Sequence, residues 1–319
     1  MTRETENKKL TFLLLTKRFY ILLNYFLLSM VELYCSWCKG LCESKKALGI
    51  IRDSNEFSGI ELSSNISGET ESIILAGLKV SIHNPSRFFK VSLESPDFIP
   101  TIAENPSIID SCKKSSLPFV SFHAGHAFQF SKLFSKEIIL SNTRKSLRFL
   151  DHELDKKILF ETLPLPFKVA TSFGIEKESG FYSTSIEYMK DILSSTNAGA
   201  LLDVSHTLSS ASSRVLSNNY NGTIKDYFVD VLNAISKNVF EMHINCPQFI
   251  KNEGFLDKHF LLKSSGVESK MVFECTQEAI EVSPNLKMIT LEIEPMLEPI
   301  KHAQAMVKQA KLARKKLNL

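Results

Sequence analysis

Five histidines and four carboxylates in this chain are of the types that bind divalent cations, and they fall in an orderly series: His83, His123, Glu161, Asp203, His206, His243, Asp257, His259 and Glu292. Imidazole and carboxylate donors without thiolate suit Zn²⁺, Fe²⁺ or Mn²⁺. Nine donors exceed what one ion can use, so the set predicts two or three divalent cations joined by bridging carboxylates. Such a centre keeps positions for water, oxygen or substrate. The local spacings fit this. Asp203-Val-Ser-His206 brings a carboxylate and an imidazole off one loop, and Asp257-Lys-His259 puts two donors on one side of an extended segment, where side chains alternate with a period of two. A lone histidine at such a place is an ordinary hydrogen-bonded residue, and a lone acid caps a helix. The conjunction of nine argues otherwise, because burying so many ionisable groups without a cation is costly.

The elements that must position these residues are short apolar runs, each closed by a candidate donor. They are Leu78-Lys-Val-Ser-Ile-His83, Pro118-Phe-Val-Ser-Phe-His123, Lys157-Ile-Leu-Phe-Glu161, Ala200-Leu-Leu-Asp203, Val239-Phe-Glu-Met-His243 and Met288-Ile-Thr-Leu-Glu292. Runs of this kind read as strands leaving a buried sheet. From His83 to His123, Glu161, Asp203 and His243 the intervals are 40, 38, 42 and 40 residues, enough for a strand, a loop and a helix. Repeated βα units predict a parallel sheet, and closure as a (β/α)₈ TIM barrel brings the strand C-terminal ends to one mouth. Phe57-Ser-Gly-Ile-Glu61-Leu62 reads as the first strand. Helices are predicted over 145–154, 184–194, 224–236, 272–282 and 300–319, from apolar residues recurring at three- and four-residue steps. The segment between Asp257 and Met288 shows one helix and no clear seventh strand.

The 319 residues, 44% hydrophobic and 23% charged, suffice for one large core, and a net charge of +3 does not argue for nucleic acid. We expect residues 51–319 to form the α/β barrel and residues 1–50 to be an N-terminal extension. That extension holds apolar runs over residues 10–34, a Cys35/Cys38/Cys42 cluster without a fourth ligand, and Met30 as an alternative start. A cytoplasmic protein is expected, with tethering to a membrane through residues 10–34 as the alternative. Cys112, Cys246 and Cys275 read as small core residues. His126 lies three residues past His123 and could sit behind the ligands, Arg87 is the cation expected nearest the site, and His152 and His302 are expected to face solvent on helices. Glu294 points to the mouth or to the surface.

Ser81-Ile-His83, Ser121-Phe-His123-Ala-Gly, Phe160-Glu161-Thr-Leu-Pro, Leu202-Asp203-Val-Ser-His206, Met242-His243-Ile-Asn, Asp257-Lys-His259 and Leu291-Glu292 resemble, in order, the ligand series of the xylose isomerase-like TIM-barrel superfamily, as in endonuclease IV. The resemblance covers residues 57–295 and implies that all nine residues are metal ligands of the catalytic centre. In its loops the chain is most similar to the multinuclear non-heme iron-dependent oxidative enzymes, through Gly199-Ala-Leu-Leu-Asp-Val-Ser-His-Thr-Leu-Ser-Ser-Ala211 and Gly254-Phe-Leu-Asp-Lys-His259. That branch implies iron, oxidative chemistry on a thiol-containing or peptide substrate, and a protein that delivers the substrate. The alternative is an endonuclease IV-like zinc phosphodiesterase acting on abasic DNA. Against it, His83 is followed by Asn-Pro-Ser-Arg87 and His259 by Phe260-Leu-Leu-Lys, neither of which is that enzyme's pattern, and either branch usually has Glu-Asn where this chain has Glu161-Thr162. A sugar isomerase or epimerase needs mainly Glu161, Asp203, His243 and Glu292 and leaves His83, His123 and Asp257 without a role. A non-catalytic metal-binding scaffold is the reading outside enzymes.

Overall fold

The computed structural model describes residues 31–37, 44–62, 72–74, 76–86, 89–125, 134–165, 167, 182, 184–294, 296 and 298–319. Eight parallel strands form the barrel: β1 (Glu32–Trp37), β2 (Gly59–Leu62), β3 (Lys79–Ile82), β4 (Phe119–His123), β5 (Lys157–Glu161), β6 (Gly199–Asp203), β7 (Val239–Ile244) and β10 (Met288–Leu291). Around the sheet they run β3-β2-β1-β10-β7-β6-β5-β4. A parallel bridge between His83 and Ser121 and a hydrogen bond from the Asn84 amide to the Ser121 carbonyl, 2.7 Å, tie β3 to β4 and close the ring. A two-stranded antiparallel hairpin, β8 (Cys246–Ile250) and β9 (Gly254–Phe260), stands between β7 and β10.

The helices alternate with the strands. They are α1 (Lys45–Ser54), α2 (Phe98–Glu104), α3 (Ser107–Lys113), α4 (Lys136–Glu153), α5 (Ile186–Ser195), α6 (Val204–Leu216), α7 (Ile224–Ile235), α8 (Val267–Val282) and α9 (Pro299–Leu317). Their apolar faces and the outward faces of the strands make the large core. Inside the barrel, Tyr34, Leu117, Phe119, Leu159, Leu201 and Met288 form a separate apolar plug. Gly59 makes room for it, since a Cβ there would meet the Tyr34 ring at 2.4 Å. With a period of two, the residue two positions on from Leu159 and Leu201 faces the same interior. Those residues are Glu161 and Asp203.

The first strand is β1, upstream of the Gly59–Leu62 segment expected to be first, so the barrel begins within residues 1–50. Val31-Glu-Leu-Tyr-Cys-Ser-Trp37 was obscured by the apolar run before it and by the cysteines within and after it. Nothing between Asp257 and Met288 is a strand beyond the end of β9, because the eighth barrel position was already filled by β1. Cys35 is buried in the core between β1 and the helices, and Cys38 and Cys42 lie outside the described residues. Cys112, Cys246 and Cys275 are buried, as expected. Among the described residues no helix is long and apolar enough to cross a membrane. His152 is exposed, but His302 is buried on α9, where the Met296 amide donates to its Nδ1 at 3.3 Å, so it does not face solvent as expected.

Candidate metal centre

Each donor is placed by a strand end or by one built turn. His123, Glu161 and Asp203 are the last residues of β4, β5 and β6, His243 is the last but one of β7, and His83 and Glu292 follow β3 and β10 directly. Asp203 is also the N-cap of α6: its Oδ1 accepts from the His206 amide at 2.7 Å, which stabilises the helix start and turns His206 back over the mouth. Helix α6 is almost wholly buried despite its serines, because they bond inward. Ser205 Oγ donates to Asn245 Oδ1 at 2.6 Å and Ser210 Oγ to the Leu163 carbonyl at 2.9 Å. Ser212 Oγ accepts from the Phe255 amide at 2.9 Å. The sequence reading found no helix here, since hydroxyls hide its amphipathic pattern.

The hairpin brings Asp257 and His259 to His206. Gly254 turns it with φ +78°, and a Cβ there would lie 2.4 Å from Ser212 Oγ. Gly254→Ala should therefore cost on the order of 1–3 kcal/mol and weaken cation binding at the hairpin while sparing the donors on the barrel strands. Melting and metal titration of the variant check this.

Nine donors thus meet in three adjoining groups: His83, His123 and Glu161; Glu161, Asp203, His243 and Glu292; and His206, Asp257 and His259; a fourth group joins Glu61 to His83 and His243. Glu161 belongs to two of them and divides its oxygens. Its Oε2 lies 2.8 Å from His123 Nε2 and 3.5 Å from His83 Nε2, while Oε1 lies 3.3 Å from His206 Nδ1 and 3.9 Å from His243 Nδ1. His83 Nε2 is 3.2 Å from His123 Nε2, and Asp257 Oδ2 is 3.2 Å from His206 Nε2 and 3.1 Å from His259 Nε2. Donor separations of this size match the edges of a coordination shell with bonds of about 2.0–2.2 Å.

The outer faces of the rings support the same reading. His206 Nδ1 donates to the Thr162 carbonyl at 2.9 Å and His259 Nδ1 to the Glu292 carbonyl at 3.1 Å. A carbonyl only accepts, so these Nδ1 atoms carry hydrogen, which leaves each Nε2, facing Asp257, as the nitrogen that a cation would take in place of a proton. His83 Nδ1 meets Ser121 Oγ at 3.0 Å. His259 holds φ +43°, a backbone strain tolerated at functional sites. Asp203 Oδ2 and Asp257 Oδ1 are buried with no hydrogen-bond partner among the described residues, which a cation would remedy. The buried histidines and carboxylates fit a multi-metal site.

Burial acts against every charge here, and the neighbours decide the outcome. Burial would raise Glu161, yet His123, His83 and His206 hold it well below the usual carboxylate range. Burial pushes Asp203 up to about 7 despite His206, with Glu292, Asp257 and Glu161 adding to the rise. Burial lowers His83 to about 4. It would also lower His259, but Glu292, Asp257 and Asp203 outweigh it and raise the ring to about 9. An upward shift means that the folded metal-free chain holds protons which the unfolded one has lost. The His259 contribution is therefore complete below pH 6.5 and fades as pH rises through about 9. Chelated protein should melt at progressively lower temperature from pH 7 to pH 9, the Asp203 shift acting in the same sense. Cation binding displaces these protons and should strengthen over the same range. Melting curves with and without chelator test both, and a flat chelated profile would contradict them.

No protein-family model matches the chain, and no curated protein matches it. Solved structures do. Endonuclease IV from Thermus thermophilus aligns with a TM-score of 0.57 at 13% identity, covering 90% of this chain and 99% of that one. A putative xylose isomerase from Rhodospirillum rubrum aligns at 0.60 and 12% identity, covering 89% and 99%. The fold is that of the xylose isomerase-like TIM barrels. D-psicose 3-epimerase from Clostridium cellulolyticum shares this barrel at 0.53 and 11% identity, covering 90% of this chain and 98% of the epimerase. Endonucleases, epimerases and isomerases all use the xylose isomerase-like barrel, so at these identities the likeness speaks to architecture and leaves the reaction to the site.

All nine residues expected from the sequence lie in the described structure and converge. Arg87 and His126 lie outside the described residues, and Glu294 is exposed, its amide donating to the His259 carbonyl at 2.9 Å. Two site residues went unassigned in the sequence. Glu61 on β2 and Glu241 on β7 are fully buried at the His243 ring. Charged residues inside otherwise apolar strands were the available signal.

Proposed function

We propose that this chain is a multinuclear metal-dependent enzyme in which His83, His123, Glu161, Asp203, His206, His243, Asp257, His259 and Glu292 hold three cations. The observation that carries this reading is the division of Glu161 between two groups of donors, with His206, Asp257 and His259 forming a third beside them. A single-cation isomerase would leave His83, His123 and the hairpin pair without a role.

The finer reading is a non-heme iron oxidative enzyme that acts on a thiol-containing or peptide substrate. Its support is the Gly199 to Ala211 and Gly254 to His259 segments, together with a partly apolar rim. Phe89, Phe249, Phe260 and Met296 are exposed on the segments that follow β3, β7 and β10, and such side chains suit a peptide better than a polyanion. Bound iron would supply the redox chemistry on the substrate sulfur. The protein's own part is to hold the cations in a shielded pocket, with Asp257 and Glu292, each partly exposed, toward the opening. A second reading, a zinc phosphodiesterase, is favoured by the match to endonuclease IV and by Lys90, Lys251 and Lys263 on the same segments.

The deciding test loads anaerobically prepared protein with ferrous iron and measures oxygen uptake with cysteine-containing peptides. In parallel, the zinc form is incubated with a duplex bearing an abasic site. Thiol-dependent oxygen uptake is expected. Cleavage of the duplex with no oxygen uptake would overturn the oxidative reading in favour of the second.

A further inference from the structure

The far side of His243 meets two carboxylates that are not among the nine donors, Glu61 and Glu241. Its Nδ1 faces the cation donors, 3.1 Å from Glu292 Oε2, 3.9 Å from Glu161 Oε1 and 4.0 Å from Asp203 Oδ2. Its Nε2 points the other way, 3.2 Å from both Glu61 oxygens and 3.3 Å from Glu241 Oε1. The corresponding outer nitrogens of His83, His206 and His259 meet a serine hydroxyl or a carbonyl, and where a carboxylate is also near, it is one of the nine donors, Glu161 at His206 and Glu292 at His259. Glu61 and Glu241 come from strands separated by β1 and β10, so they converge across the barrel interior.

We propose that Glu61 and Glu241 are a positioning pair for His243, a buried carboxylate layer beneath the metal centre that grips Nε2–H and fixes Nδ1 on the cation shared with Asp203 and Glu292. The proposal rests on the three-cation reading. Two buried acids beside the ring call for positive charge, which a cation on Nδ1 would supply. With a cation on Nδ1 the ring's N–H becomes a stronger donor, and the carboxylates in turn make the ring a better ligand. The geometry disfavours a fourth cation among Glu61, His83 and His243. His83 already commits Nδ1 to Ser121 and turns Nε2 toward His123 and Glu161, and His243 would have to lose its last proton and bridge two ions.

The test is a Mn²⁺ titration of chelated full-length protein, followed by the paramagnetic resonance of free Mn²⁺, on the wild type, Glu61→Gln, Glu241→Gln and the double variant. Amides keep the size and a hydrogen bond to the ring but remove the charge. We expect three bound ions in the wild type and, in the double variant, one of them weakened about 10–100-fold with the other two unchanged. The Co²⁺-loaded visible spectrum should change at one site only. Should the double variant fail to fold, Glu61→Gln alone reports on the same ion, since Glu241 still faces the ring. Wild-type affinity at all three sites in a folded variant would overturn the proposal, as would a fall from four bound ions to three. A wild type that binds no Mn²⁺ would instead overturn the three-cation reading beneath it.

Discussion

Glu161→Gln is expected to remove two cations at once, leaving the ion at His206, Asp257 and His259 and reducing activity by roughly 10²–10³-fold or more. The argument is geometric. One oxygen of Glu161 serves His83 and His123, and the other faces the His243 group. An amide offers one acceptor and one donor, and its N–H₂ would point at one of the two cations. Because Gln is nearly isosteric, the chelated variant should melt close to the chelated wild type. Metal analysis should then give one cation per chain against three. Equal metal content in the two proteins would mean that Glu161 does not bridge.

The second large effect is on stability. Removing the cations leaves Glu161, Asp203, Asp257 and Glu292 crowded in a mostly buried site, with protonated imidazoles as their only described compensation. A ligand present at a thousand times its Kd adds about 4 kcal/mol to the folded state. At about 2.1 cal/mol/K of unfolding entropy per residue, a chain of 319 residues shifts by about 1.5 °C per kcal/mol, so one strongly held cation raises the melting temperature by roughly 6 °C, and three raise it further. Chelator should lower the transition by at least that much, and stoichiometric metal should restore it. A melting temperature indifferent to chelator would mean that the fold does not depend on the cluster.

The donors were legible in the sequence because strand ends repeat. An apolar run closed by His, Glu or Asp, recurring about every 40 residues from His83 to His243, is a signal of period and of composition together, and these five runs and the one closed by Glu292 end at the mouth of the barrel. Asp257 and His259 were legible through their spacing, although the hairpin that carries them was not, since its turn at Asn252, Glu253 and Gly254 reads as an ordinary loop. Other elements were hidden for physical reasons. Strand β1 adjoins a longer apolar run, and α6 buries hydroxyls that bond to neighbouring loops instead of presenting an apolar stripe. His302 sits on a helix that is polar on average, and its burial depends on packing against the chain around Met296. Glu61 and Glu241 were visible as charges in apolar strands, but their convergence depends on β2 and β7 facing each other across the barrel.

The most direct measurement of the central claim is the metal content per chain of full-length protein purified without oxygen, determined by mass spectrometry. Three transition-metal ions per chain are predicted, falling to one in Glu161→Gln. Folded protein that holds no metal as purified and takes up none when offered iron, zinc or manganese would contradict the claim.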